Sequence, residues 1–289
     1  MRTLAAGLAA GAALLVALPA AAAPAMFVVR DADSEIFLFG TMHALPADAA
    51  WRTPAYDAAY AQAQSVWFEA EADEASPAAM NDLIARYGVS PDRPLSARLN
   101  KRQLKNLKTV LARSGRTLDQ VDHLRPWAAA LALSMQPCIQ AKQSVETGAD
   151  AVVTRQARQA EKPIRAFETL EDQVRMFATL PEAVELKYLT DVVDEQLGRG
   201  AATGALSDVW ISGDLRRLGR RVADPIHAKS PGFYAALVTR RNRAWAEALT
   251  AQMAGKGVEL VNVGALHLLG QDGLPALMRS RGFTVERVQ

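Results

Sequence analysis

A pattern that occurs twice in the chain constrains its fold most: a short apolar run, then a glycine, then a histidine three residues later. Residues 36–43 carry the first copy, which ends at His43, and residues 258–267 carry the second, which ends at His267. A short apolar run that stops at glycine is typical of a buried β-strand, so each histidine lies just beyond a strand end. Ligands of open α/β sheets bind outside the carboxyl ends of the strands. The pattern therefore predicts that two distant strand ends meet in one crevice.

Each histidine has two interpretations. Neutral imidazole is the commonest metal ligand and a good general base near neutral pH. A histidine in a turn after a strand can also be a hydrogen-bonded structural residue that needs no ligand. The repetition of the same local context favours a shared function. The other two of the four histidines, His123 and His227, follow no strand and are expected to be structural or exposed.

Two further strand ends carry carboxylates. Residues 65–69 form an aromatic run that closes on Glu69, and residues 162–168 form a second run that closes on Glu168. Two imidazoles and one or two carboxylates around a crevice can hold a divalent metal ion and leave one coordination position open. His43, Glu69 and His267 are the candidate ligands, and Glu168 is a candidate base or further ligand. Without a metal, the same groups can serve as an acid–base pair, and each glutamate alone can be a surface or capping residue.

Several other kinds of site are absent from the sequence. It contains no His-Glu-x-x-His helix motif, no Gly-x-Ser-x-Gly elbow, no Gly-Lys-Ser/Thr phosphate loop and no Cys-x-x-Cys pair. The net charge of +2 is too small to indicate a protein that binds nucleic acid.

The first 22 residues have the composition of a secretory signal peptide. A basic start at Arg2 precedes an alanine-rich apolar run, and residues 20–22 offer a small-residue cleavage site. The run of about 15 apolar residues is too short to read as a membrane span. We therefore expect residues 1–22 to be removed, and the mature chain to be periplasmic or secreted without stable insertion in a membrane.

The remaining residues, 23–289, are predicted to form a single α/β domain. Strand patterns lie near both ends, and residues 26–30 and 36–39 flank a polar turn that predicts a hairpin. Most of residues 76–196 has helical periodicity, including helices over 96–114 and 126–140. The expected architecture is a mixed central sheet flanked by helices, with a large helical insertion between the two ends that carry the motifs.

Taken together, the motifs resemble the TraB/PrgY/GumN family, to which the Tiki secreted proteases are similar. The resemblance spans almost the whole mature chain and rests on the order and spacing of its motifs. These are Phe-Gly-Thr-Met-His43, Trp-Phe-Glu69, Gly148-Ala-Asp150, Phe-Glu-Thr-Leu-Glu-Asp-Gln173, Trp210 with Gly213-Asp214, Arg241-Asn242 followed by Trp245, Val-Gly-Ala-Leu-His-Leu-Leu-Gly270 and a terminal Gly-Phe-Thr-Val strand.

The resemblance implies a metal-dependent, hydrolase-like site built around both Gly-x-x-His motifs and Glu69. Cleavage of peptide bonds is the activity of the Tiki branch, so it implies a peptide or protein substrate. It also makes Arg241 and Asn242 candidate contacts to a substrate or transition state. A non-catalytic periplasmic binding protein remains the alternative, one that holds a metal, a haem-like group or a peptide in the same crevice. An enzyme, unlike a binding protein, needs a spare acid or base and an open coordination position. The arrangement of the four strand-end groups therefore distinguishes the two alternatives.

Overall fold

A computed structural model of the 289-residue chain describes residues 22–70, 77–199 and 206–289. The cleavage site predicted after residue 22 borders this part of the chain, and the leader before residue 22 lies outside it. In the described ranges, no helix is both long enough and apolar enough to cross a membrane.

A six-stranded mixed sheet forms the centre of the fold. Its strands are β1 (Met26–Arg30), β2 (Ser34–Thr41), β3 (Ser65–Ala70), β4 (Ile164–Glu168), β5 (Gly257–Gly264) and β6 (Thr284–Arg287), in the spatial order β4-β3-β5-β2-β1-β6. The strands β4, β3, β5 and β2 run parallel to one another, and β1 pairs antiparallel with both β2 and β6. The predicted mixed α/β sheet is confirmed, including the hairpin between β1 and β2.

Helices cover both faces of this sheet, and most of them lie between β3 and β5 in the sequence. They are α1 (Pro54–Gln62), α2 (Pro77–Tyr87), α3 (Leu95–Arg98), α4 (Lys101–Arg113), α5 (Pro126–Ser134), α6 (Gln136–Gln140), α7 (Ala149–Gln159), α8 (Leu170–Ala178), α9 (Glu182–Asp194), α10 (Leu206–Ile211), α11 (Leu215–Leu218), α12 (Asp224–Lys229), α13 (Pro231–Tyr234), α14 (Arg240–Met253) and α15 (Leu274–Ser280).

Two of the helices expected from periodicity are each divided into two. The helix predicted over 96–114 breaks before α4, because the Asn100 side chain accepts a hydrogen bond from the Gln103 N–H and so begins a new helix. The helix predicted over 126–140 breaks at Met135, and the next helix has Pro137 in its first turn, where a missing N–H is tolerated. Hydrophobic periodicity continues across both breaks, so it could not locate them.

The register between β2 and β5 brings the two motifs side by side. Thr41, at the end of β2, pairs with Gly264, at the end of β5. A side chain at Gly40 would begin 2.8 Å from Leu268 Cδ1, so the glycine lets the second motif's turn pack directly on the first strand. On the opposite side, the buried Trp210 indole donates a 2.7 Å hydrogen bond to the Gly40 carbonyl. Packing thus fixes the two strand ends relative to each other.

Candidate functional site

The carboxyl ends of the four parallel strands form one edge of the sheet, and the polar groups predicted from the sequence converge there. Glu69 Oε1 accepts a 2.7 Å hydrogen bond from the Gly264 N–H and lies 3.5 Å from His267 Nε2. A methyl group placed on Gly264 would lie 3.1 Å from the same Glu69 oxygen and 3.3 Å from His43 Nε2. Both imidazoles therefore border the region around Gly264 and Glu69 Oε1, although they come from opposite ends of the chain.

A buried guanidinium group joins the two glutamates. Arg241 Nη2 donates to Glu69 Oε2 at 2.7 Å, and Arg241 Nε donates to both oxygens of Glu168 at 3.0 Å. A third nitrogen, Nη1, lies 3.2 Å from His267 Nε2. The ring of Trp245 lies 4.5 Å from the guanidinium carbon, and its Nε1–H donates to Glu168 Oε1 at 3.1 Å. These contacts make Arg241 the counter-ion of both glutamates. Its guanidinium is therefore already bound by side chains of the protein when no substrate is present.

Asn242 fixes the orientation and the tautomer of His267. Its side-chain amide donates to two carbonyl oxygens, those of His267 and Asp272, at 3.1 and 2.7 Å. Its Oδ1 is thereby assigned as an acceptor, 2.6 Å from His267 Nδ1, which must carry the proton. The resemblance implied a substrate contact for Asn242, but the structure places it fully buried behind the histidine. His267 therefore presents the unprotonated Nε2 towards Glu69.

Burial disfavours the charged forms of both His267 and Glu69, but only His267 becomes neutral. Burial lowers the pKa of His267 to about 3, with the Glu69 carboxylate opposing this shift and Arg241 adding to it. Burial alone would raise the pKa of Glu69, but the positive charge around it, including the Arg241 guanidinium that contacts its Oε2, outweighs burial and holds that pKa well below its usual range. At neutral pH, the site thus contains a neutral imidazole beside an ionised carboxylate.

His43 is held by a carboxylate of its own and is more open to solvent than His267. Its Nδ1 lies 2.8 Å from Asp150 Oδ2, and Thr41 Oγ1 donates to the other Asp150 oxygen at 2.8 Å. The Asp150 carboxylate raises the pKa of His43 to about 9, although 61% of the side chain is exposed and water screens part of this attraction. The contact leaves His43 Nε2 directed towards the crevice, where it can bind a proton or another cation.

Asp150 was not among the residues selected from the sequence, where it only followed the glycine that opens a helix. The structure explains the position of that glycine. A side chain at Gly148 would begin 2.1 Å from the His43 carbonyl oxygen, so only glycine lets the first turn of α7 lie against the first motif. The Ala149 N–H donates to the Met42 carbonyl at 3.0 Å, which brings the next residue, Asp150, beneath the imidazole. The Gly-Ala-Asp run quoted for the family resemblance was the one signal that could have found it.

We expect Asp150→Asn to lower the pKa of His43 towards the ordinary histidine value, because the variant removes the negative charge that stabilises the imidazolium. The measurement is an NMR titration of the His43 ring resonances, which needs no substrate. Asp57→Asn is the matched control, since Asp57 pairs with Arg52 rather than with a histidine. An unchanged His43 titration in Asp150→Asn would refute the assignment of Asp150 as its partner.

Gly264 keeps the crevice open. Its backbone angles, φ −49° and ψ 136°, are accessible to any residue, so alanine fits the backbone. The added methyl group would instead crowd Glu69 Oε1 and His43 Nε2 at 3.1 and 3.3 Å. We expect Gly264→Ala to retain the thermal stability of the protein and to weaken the binding of small ligands, including a divalent ion, in the crevice. Calorimetry and a binding assay on the same sample test this, and unchanged binding would show that the space is not used.

The side chains of His43, Glu69 and His267 are of the types that bind divalent metal ions, but they do not surround a single point where an ion could sit. In the described ranges, no group of three or more His, Cys, Asp or Glu side chains is close enough to hold a metal ion. Both imidazoles nevertheless have Nδ1 engaged and present Nε2, which is the arrangement of metal-binding histidines with their supporting partners. The Arg241 guanidinium touches two of the three donors. Coordination would require it to leave His267 Nε2 and the three donors to close around the ion.

Comparison with models of protein families assigns this chain to a family. The model of the TraB/PrgY/gumN family matches residues 25–287, which include both Gly-x-x-His motifs, Glu69 and Glu168. The chain belongs to this family. The uncharacterized protein YbaP of Escherichia coli (strain K12) is 26% identical to it over 185 residues, which are 64% of this chain and 68% of YbaP. The protein of the same name from Shigella flexneri matches to the same extent. No solved structure matches the chain.

Proposed function

We propose that this member of the TraB/PrgY/gumN family is an exported, metal-dependent hydrolase that cleaves peptide bonds. His43, Glu69 and His267 would hold the ion. The observation that carries the proposal is that His267 Nε2 lies 3.5 Å from an oxygen of the buried, ionised Glu69, while His43 Nε2 and the same oxygen both border the space beside Gly264. Export rests on the leader predicted for residues 1–22.

A divalent ion bound by these three residues would polarise the substrate carbonyl and lower the pKa of a bound water molecule. The chain's own groups support that chemistry. Asn242 holds the His267 ring, Asp150 holds the His43 ring, and Arg241 keeps Glu69 ionised. Because ordinary metal-ligating histidines depend on such partners, Asp150 and Asn242 belong to the proposed machinery.

We propose a positioning role for Glu168, which the sequence indicated as a candidate base or further ligand. Both of its carboxylate oxygens accept hydrogen bonds from Arg241, and Oε1 also accepts one from Trp245. A carboxylate with these partners is poorly placed to take a proton from water. We therefore assign Glu168 to the positioning of Arg241. In the metal-free acid–base alternative, His43, the more exposed of the two histidines, would transfer the proton.

Metal analysis and a peptide-library digest test the proposal together. We expect about one divalent ion per chain after loading, cleavage of a subset of peptides, and loss of cleavage on chelation with recovery when Mn²⁺, Co²⁺ or Zn²⁺ is returned. Cleavage that resists chelation would disprove the metal requirement and leave the acid–base alternative. Tight binding of metal or peptide without cleavage would instead support the non-catalytic binding protein.

A further inference from the structure

The outward face of helix α4 carries a concentration of positive charge that no part of the proposed site uses. The helix has five basic residues and no acidic residue within its 13 positions. Its apolar side, with Leu107, Val110 and Leu111, is buried in the helical part of the fold. All five cations lie on the exposed side: Lys101, Arg102, Lys105, Lys108 and Arg113.

These charges are not neutralised within the described part of the chain. No hydrogen bond or ion pair involves the side-chain nitrogens of Lys101, Arg102, Lys105 or Lys108 there, and Arg113 donates only to the backbone carbonyl of Gln196 at 2.8 Å. Lys101 and Lys105 are four residues apart on the helix, a spacing at which like charges destabilise it. The stability of the fold therefore does not account for this face, and an external anion would relieve the repulsion.

A small amount of apolar surface lies on the same face. The half-buried Leu104 and the exposed Ala112 contribute it between the cations. The 13-residue helix is about 20 Å long, so it can lie along an extended surface. It contains no aromatic side chain on which a nucleic-acid base could stack. Clustered cations on one long helix face, with little apolar surface and no aromatic side chain, fit an extended surface of negative headgroups.

We propose that the outward face of α4 docks on an anionic phospholipid bilayer, with the helix axis parallel to the membrane surface. Lysine and arginine side chains meet the phosphate groups, while the exposed Ala112 and the outer edge of Leu104, whose other side packs on the core, lie at the level of the headgroups. Each basic residue near an anionic surface strengthens binding by about fivefold. The proposed contact is peripheral and reversible, and it is independent of the chemistry at the sheet edge.

Vesicle co-sedimentation of the full mature chain tests this inference. The probes are vesicles of phosphatidylcholine alone and vesicles with one part phosphatidylglycerol to two parts phosphatidylcholine. We expect binding only to the second kind, with release by high salt. The variant K101Q/K105Q/K108Q should weaken that binding by about 100-fold, since three charges are removed. The matched control is R216Q/R217Q/R220Q, which removes three exposed arginines near Asp214 and should keep the wild-type affinity.

Circular dichroism of both triple variants checks that the helices are intact, so that lost binding can be distinguished from a lost fold. Equal weakening by both variants would overturn the inference, because it would mean that only net charge matters. Equal binding to both kinds of vesicle, or no binding to the anionic vesicles at low salt, would overturn it as well. Binding that depends on α4 but occurs to heparin and not to vesicles would assign the face to a soluble polyanion instead.

Discussion

Replacing His43 with alanine should reduce hydrolysis by about 10³-fold and leave the fold intact, because the variant removes a group that binds a proton or a metal ion at the reacting centre. The side chain is 61% exposed and contributes little to the core, so the free energy of unfolding should change only slightly. The measurement is kcat/KM on the best peptide from the library, with thermal unfolding recorded on the same sample.

His267→Ala should be equally inactive but less stable than His43→Ala. The variant leaves the buried Asn242 Oδ1 without its donor, at a cost of about 1–3 kcal/mol. If the two imidazoles act in one site, the double variant should be no less active than either single variant, since groups that act as a unit are not additive.

His123→Ala is the matched control for both histidine variants, because its imidazole lies outside the site and its backbone carbonyl, which accepts from Ser90 N–H, is kept. It should retain wild-type activity. Multiplicative losses in the double His43→Ala/His267→Ala variant would show that the two histidines act independently, contrary to a shared site.

The sequence predicted the convergence of His43, Glu69, Glu168 and His267 because the signal for each residue is local. An apolar run that ends at glycine or at a carboxylate indicates a strand end, and parallel strands place their carboxyl ends on one edge. The exact register, with Thr41 opposite Gly264, depends on packing across the whole sheet and could not be derived from either run alone.

The position of Arg241 in the site could not be predicted from a local sequence signal. From the sequence alone it belongs to an exposed stretch of helix, which is where arginine is usually found. Its burial depends on how α14 lies on the sheet. Phe167 of β4 stacks on Trp245 of α14 with ring centroids 5.0 Å apart, and this contact aligns the helix so that the residue one turn earlier points at both glutamates. Phe167 and Trp245 are far apart in the chain, so the hydrophobic periodicity of either segment cannot predict their contact.

Asp150 escaped prediction for a related reason. It lies in the first turn of a helix, where an acidic residue is common because it interacts favourably with the helix dipole. That ordinary explanation is sufficient from the sequence. Only the close approach of Gly148 to the His43 carbonyl shows that this helix begins against the first motif.

Arg241→Met should lower the free energy of unfolding by about 3–5 kcal/mol, because it leaves two buried carboxylates without their cation. The side chains of Arg241, Glu69 and Glu168 are only 9%, 11% and 16% exposed, so water cannot replace the lost interaction. Arg240→Met is the matched control, an exposed arginine one position earlier, and it should change stability by less than about 0.5 kcal/mol. Denaturant unfolding of both variants at neutral pH measures the difference.

A second substitution separates lost charge from lost packing. Arg241→Met/Glu168→Gln should be more stable than Arg241→Met, since it removes one of the two uncompensated charges while keeping the side-chain volume. If the double variant is less stable than Arg241→Met, packing around the guanidinium accounts for the loss, and the ion-pair explanation is wrong.

The pH dependence of the same variant gives an independent test. In the wild type, the pKa of Glu69 is lower in the folded chain than in the unfolded chain. The ionised carboxylate therefore stabilises the fold above the unfolded pKa of about 4.3, and this contribution is lost as the pH falls towards the folded pKa. Without Arg241, burial favours the protonated carboxyl, so acid should stabilise the variant relative to the wild type. The gap in unfolding free energy should thus narrow between pH 7 and pH 4, and a constant gap would show that the Arg241–Glu69 ion pair does not control stability.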